Sequence, residues 1–175
     1  MILTGEAIKW NLDRGLFIQP FNEEQVGPNS YDVRLHNELL IYNEAVLDPK
    51  KKLATAKITI PEDGLRLIPG TLYLGRTVEK TYTPEFIPML EGRSSVGRLG
   101  LSVHVTAGVG DIGFNGYWTL EMTCIQPTII YPGMRIAQLV YYVPVGAYKR
   151  YEGKYQNNSD IQESLIRQDE EFAGN

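Results

Sequence analysis

Hydrophobic and polar positions alternate with a period of two along much of the chain. Tyr31, Val33 and Leu35 alternate with polar neighbours, as do Val103 and Val105. Trp118 and Leu120 stand against Tyr117 and Thr119. This period predicts strands with one buried face. Leu65, Leu67, Leu72 and Leu74 flank Pro69-Gly70, and the apolar run from Ile129 to Val145 is broken at Pro132-Gly133. Both segments read as strand, Pro-Gly turn, strand, a recurring hairpin device. Two stretches follow another rule. Near the start, Thr4 can cap a helix in which Ala7, Ile8 and Leu12 recur near helical spacing, with Gly15 as its stop. A second short helix is predicted from Arg93 to Leu99, capped by Ser94 or Ser95. Many short strands with Gly and Pro turns predict a mainly β sandwich or barrel. After about Tyr148 the chain turns polar and charged. Residues 1–148 therefore read as the β domain, and 149–175 as a tail that packs poorly on its own.

Bulk properties narrow the function classes. A chain of 175 residues, 43% hydrophobic and 22% charged, suits one soluble domain with a real core. No apolar run approaches a membrane span, and Met1 to Glu6 lacks the basic and apolar regions of a signal peptide, so a cytoplasmic location with no membrane partner is expected. One cysteine, Cys124, allows no intrachain disulfide and reads as a buried, inert thiol. A net charge of −4 argues against a nucleic-acid polymer as partner but leaves room for a small anion.

The densest polar constellation lies between Glu91 and Glu121. Arg93, Ser94, Ser95, Gly97 and Arg98 surround Val96, and such a set of guanidiniums, hydroxyls and glycine could cradle an anion. A capped helix with solvated arginines is the alternative, and composition does not separate the two. Asp111, among four glycines, could accept a sugar hydroxyl or simply bond its own turn. Thr119 and Glu121 share one face of a strand whose other face carries Leu120 and Met122. A carboxylate in an apolar strand must be paired or put to use. An ion pair with Arg93, Arg98 or Arg135 and a catalytic role both remain open. His36 and His104 suit core or surface positions better than metal ligation. A zinc deaminase needs a Pro-Cys-x-x-Cys pair that one cysteine cannot supply.

Taken in order, Arg93-Ser-Ser-Val-Gly-Arg98, His104-Val-Thr-Ala-Gly, Asp111-Ile-Gly-Phe and Thr119-Leu-Glu121 resemble the motifs of deoxycytidine triphosphate (dCTP) deaminases. Pro132-Gly-Met and Gly153-Lys-Tyr-Gln-Asn157-Asn158 resemble later motifs of that family, and Pro28-Asn-Ser-Tyr-Asp32-Val-Arg-Leu an earlier one. The resemblance implies a homotrimer of dUTPase-like distorted β-barrel or jelly-roll subunits, with a short N-terminal and a short internal helix. It also implies active sites at subunit interfaces and a triphosphate accompanied by Mg²⁺. The implied reaction is zinc-independent deamination of dCTP to dUTP and ammonia. The alternatives are a bifunctional enzyme yielding dUMP and diphosphate, for which Gly108 is a cue, or a nucleotide-sensing module without catalysis. Either nucleotide could be bound, with dTTP as an inhibitor. Glu121, Ser94 and Arg98 would be catalytic, and burial beside Leu120 and Met122 is expected to raise the Glu121 pKa. Arg93 to Arg98 would hold the triphosphate, Asp111 the deoxyribose, and Thr119 and Leu120 the pyrimidine edge. Val105 and Ala107 would line the substrate site. Tyr151, Lys154 and Asn158 would reach the phosphates from a tail that closes over the nucleotide. Two places depart from the family pattern: Gly110-Asp111-Ile112-Gly113 beside the sugar, and Asn158 where relatives carry Gln.

Overall fold

The computed structural model describes residues 1–172. Among the described residues, eleven strands form three antiparallel sheets. The largest runs in the order β4 (Thr55–Thr59), β3 (Glu38–Tyr42), β6 (Tyr73–Tyr82), β9 (Asn115–Cys124) and β8 (Leu101–Ser102), with β1 (Phe17–Gln19) paired to the far end of β6. A second sheet has β11 (Arg135–Tyr142) between β2 (Tyr31–Arg34) and β7 (Ile87–Gly92). The third pairs β5 (Leu65–Leu67) with β10 (Thr128–Ile130). The mainly β class expected from the alternation is what the chain adopts. β2 buries Tyr31 and Val33, and β9 buries every second residue, Gly116, Trp118, Leu120, Met122 and Cys124. These inner faces meet in one core with Leu35, Leu39, Leu90, Ile136 and Leu139.

The Pro-Gly segments are not hairpins. β5 pairs with β10, whereas β6 pairs with β3 and β9, and β11 with β2 and β7. Each turn, with Gly70 at φ 79° and Gly133 at φ 73°, passes the chain from the small sheet into a larger one. The two look-alike segments are therefore corners at opposite ends of the small sheet, where the strands leading into them, β5 and β10, pair antiparallel. Local pattern shows where a strand lies but carries no information about its partner.

Both helices form, with altered ends. In α1 (Gly5–Asn11) the Thr4 hydroxyl accepts from the Ala7 amide, as expected of a cap. The helix stops at Asn11 because Leu12 is extended, well before Gly15. α2 (Ser94–Gly97) is a single turn whose N-cap is Arg93; neither Ser94 nor Ser95 caps it, and Val96 plugs the core beneath it. Val103 is buried but Val105 is exposed, since the chain has left β8 by then.

One buried polar node ties two sheets together. β6 bulges between Arg76 and Lys80, and the bulge turns Glu79 inward to zero exposure. Its carboxylate accepts from Arg34 Nε at 2.7 Å, the Arg34 amide at 2.8 Å and Gln25 Nε2 at 2.9 Å. Burying this charge is tolerable because all of these donors face it.

Candidate active site

The outer face of β9 forms one wall of a cavity of about 660 Å³. Tyr117, Thr119 and Glu121 project into it because their alternate neighbours fill the core. The segment from His104 to Asp111 forms a second wall. Backbone bonds to β7 hold it there: the Leu90 amide donates to Gly108 O at 2.7 Å, and the Gly110 amide to Pro88 O at 2.8 Å. The tail contributes Tyr151, Asn158 and Gln162, the end of β3 and the loop after it Tyr42 and Leu53, and the start of β6 Leu74.

Glu121 meets neither Arg93, Arg98 nor Arg135. Its partner is His104, whose Nδ1 lies 3.0 Å from Glu121 Oε2 in an oblique, ionic contact. The same carboxylate oxygen accepts from the Val105 amide at 3.1 Å, while His104 Nε2 faces the Ala107 carbonyl. A carboxylate beside Nδ1 and a carbonyl at Nε2 both favour the protonated ring. The His104 contact holds the Glu121 carboxyl below its ordinary value, with help from the Val105 amide and against the opposing effect of burial. Burial depresses His104, but the Glu121 contact and charge outweigh it and the net shift is upward. The expectation of a raised Glu121 pKa is therefore corrected, because the imidazolium outweighs desolvation. The sequence offers His104 no metal partners and so no local sign of a role. Its real partner is found only by pairing β8 with β9, which sets Val103 beside Glu121; the Glu121 amide donates to Val103 O at 3.1 Å.

The pairing pattern of β9 leaves one gap. Leu120 is fully buried and paired with Gly75, so its side chain and peptide groups face the core and β6 rather than the cavity. On the opposite edge, Asn158 takes the Tyr117 amide and Val103 takes that of Glu121. The Thr119 backbone lies between them and opens toward the cavity. Of the two residues expected to read a pyrimidine edge, only Thr119 is so placed. Asp111 also lines the cavity; its carbonyl, not its carboxylate, closes the local turn by accepting from the Phe114 amide. Val105 and Ala107 line it too.

The residues of α2 lie elsewhere. Ser94, Ser95, Gly97 and Arg98 are exposed on their own surface, and no residue from Arg93 to Arg98 lines the cavity. Arg93 is engaged by Asp32, 3.1 Å from its Nε.

The tail is docked along β9. Asn158 bridges Gly116, its side chain donates to Tyr117 O at 2.9 Å, and the Gln162 amide donates to Thr119 Oγ1 at 3.1 Å. Ile161 is buried, an apolar anchor that the polar composition of the tail concealed. Tyr151 and Asn158 line the cavity, but Lys154 does not: its ammonium pairs with Asp169 of the same tail. The last three positions of the tail lie outside the described residues. Among the described residues, no group of three or more His, Cys, Asp or Glu side chains is placed to hold a metal ion. None of the described helices is long and apolar enough to cross a membrane.

A family model described as dCTP deaminase-like matches residues 2–143. The chain belongs to the dCTP deaminase family. Relatives in that family named "dCTP deaminase, dUMP-forming" include those of Hathewaya histolytica, 58% identical over 97% of this chain and 99% of the relative, and Clostridium acetobutylicum, 56% identical over 97% and 98%. That of Cytophaga hutchinsonii is 52% identical over 97% and 98%. The solved 2′-deoxycytidine 5′-triphosphate deaminase of Agrobacterium tumefaciens shares the fold, with a TM-score of 0.64 at 20% identity, covering 82% of this chain and 48% of that one. Members of the dCTP deaminase family are hydrolytic enzymes, so the cavity beside Glu121 is the place to seek the chemistry.

Proposed function

We propose that the protein hydrolyses dCTP to dUMP, diphosphate and ammonia, with Glu121 as the base of the deamination step. The observation that carries the chemistry is an ionised, half-buried carboxylate on the wall of a cavity, two residues from the open backbone edge of Thr119. Release of dUTP, the first reading of the sequence, yields to its alternative because relatives matching along nearly the whole chain are named dUMP-forming.

Two waters are consumed. The first adds to C4 of cytosine; Glu121 takes its proton and delivers it toward N3 and the departing amine, which leaves as ammonia. The second attacks the α-phosphorus and breaks its bond to the bridging oxygen, releasing diphosphate. The triphosphate arrives as its Mg²⁺ chelate, which needs few protein carboxylates because phosphates and water supply most of the ligands. Thr119 reads the pyrimidine edge, Asp111 the deoxyribose, and Val105 and Ala107 wall the site. Arg93, Ser94, Ser95, Gly97 and Arg98 bind the phosphates, with Ser94 and Arg98 placing the water. Since α2 lies outside the cavity of its own chain, this assignment requires α2 of a second copy, as in a homotrimer. Tyr151 and Asn158 close over the substrate, and Lys154 exchanges Asp169 for phosphate. Soluble nucleotides as substrate and product suit a cytoplasmic enzyme.

The test is product analysis after incubation with dCTP and Mg²⁺. Equal amounts of ammonia, dUMP and diphosphate are expected. Accumulation of dUTP in step with ammonia would restore the simpler reaction, and binding without turnover would favour a sensing module. Glu121→Gln should lower deamination on the order of a hundredfold to ten-thousandfold while nucleotide still binds.

A further inference from the structure

We propose that Asp32 is a positioning residue for triphosphate binding: it pins Arg93 so that the uncommitted edge of the guanidinium, and the α2 turn that Arg93 begins, face the phosphates. The inference rests on the reading of Arg93 to Arg98 as the phosphate cradle.

Asp32 sits on β2, opposite Gln138 of β11, which is in turn opposite Glu91 of β7. β7 leads through Gly92 directly to Arg93, so the sheet register brings Asp32 to the root of α2. There its Oδ2 lies 3.1 Å from Arg93 Nε and 3.9 Å from Arg135 Nη1. Arg93 Nη1 donates to the Arg135 carbonyl at 3.1 Å. These two contacts fix the plane of the guanidinium while using only part of its donor set. The Nη2 end stays free among the described residues, on a side chain that is 32% exposed. The backbone of Arg93 is also the N-cap of α2, and its carbonyl accepts from the Val96 and Gly97 amides. Anchoring the side chain therefore anchors the first residue of the turn that presents Ser94, Ser95 and Arg98. The Asp32 carboxylate, only 15% exposed, is pushed up by burial while Arg93 and Arg135 pull it down. Without it, two neighbouring guanidiniums would lose their shared anion, and the flexible Arg93 side chain would sample orientations unsuited to a triphosphate.

A double-mutant cycle tests this on the full-length protein with dCTP and Mg²⁺. Asp32→Asn should raise KM about tenfold with kcat changed less than about twofold, and should add almost nothing in an Arg93→Ala background. Asp32→Glu, which keeps the charge but displaces it, should recover part of the loss. Binding of deoxycytidine, which carries no phosphate, should not change in any of these variants. A wild-type KM in Asp32→Asn, or the same increase with and without Arg93, overturns the positioning role and leaves the phosphate reading intact. A wild-type KM in Arg93→Ala instead removes Arg93 from phosphate binding, and the inference falls with it. If Asp32→Asn does not fold, Asp32→Glu carries the same cycle, with an increase in KM that disappears in the Arg93→Ala background as the supporting result.

Discussion

Glu121 and His104 hold each other in their charged forms, and this sets the expected response to pH. The Glu121 value lies below the ordinary 4.5, so its share of stability is complete above that value and is lost as pH falls through the depressed one. His104 lies above the ordinary 6.5, so its share is complete below 6.5 and is lost as pH rises through the raised value. Between those limits the pair is intact, and Glu121 is ionised but weakly basic. Above them a neutral imidazole keeps its Nε2 proton on the Ala107 carbonyl and turns a lone pair toward the carboxylate. The released carboxylate is the stronger base. The expected outcome is a kcat/KM that climbs with pH through the His104 titration, on the alkaline side of 6.5, and a His104→Asn variant that lacks this climb. A pH–rate profile of both proteins decides the matter; an unchanged midpoint in His104→Asn would assign the climb to another group.

At the scale of elements, β9 works because its two faces do different jobs: Trp118, Leu120 and Met122 pack the core while Thr119 and Glu121 face the cavity. The tail lies along the same strand, and Gly116 makes that possible, since a Cβ there would sit 2.9 Å from both the N and O of Asn158. Gly116→Val should lift the tail while the core still folds. Turnover is expected to drop on the order of tenfold to a hundredfold if closure excludes water from the site. Hydrogen exchange at residues 156–162 should quicken. Full activity despite faster exchange would show that the tail is not a lid. This division of β9 was legible in the sequence because alternation is a local rule, as was the Thr4 cap. The partner of Glu121 was not, because His104 is placed by backbone bonds from Gly108 and Gly110 to a strand some twenty residues earlier. The corners at Gly70 and Gly133 look like hairpins in the sequence for the same reason: strand pairing is non-local. The turn at α2 was found, but not its cap, since a single turn over a buried Val96 needs no hydroxyl to end it.

Across the whole molecule, the residues assigned to one reaction lie on two separate surfaces. Glu121, Thr119 and Asp111 line the cavity, while Ser94 and Arg98 stand on the exposed α2 turn. Next to that turn, Leu99 and Ile125 are 60% and 80% exposed, apolar surface that a second copy would cover. The proposed cyclic trimer would bring each α2 turn to the cavity of a neighbour and make three equal sites. Light scattering should then give three chain masses, and the decisive measurement is complementation. Arg98→Ala and Glu121→Gln proteins, each nearly inactive alone, are mixed in equal amounts and allowed to exchange subunits. If every site takes Glu121 from one chain and Arg98 from the next, random assembly leaves about one quarter of the sites with both residues intact, and activity should recover toward that fraction. If both residues of a site come from one chain, every site carries a defect and no mixture recovers, however complete the exchange. Mass spectrometry of the mixed oligomers confirms the exchange, so a flat activity trace would count against the shared site rather than against the mixing.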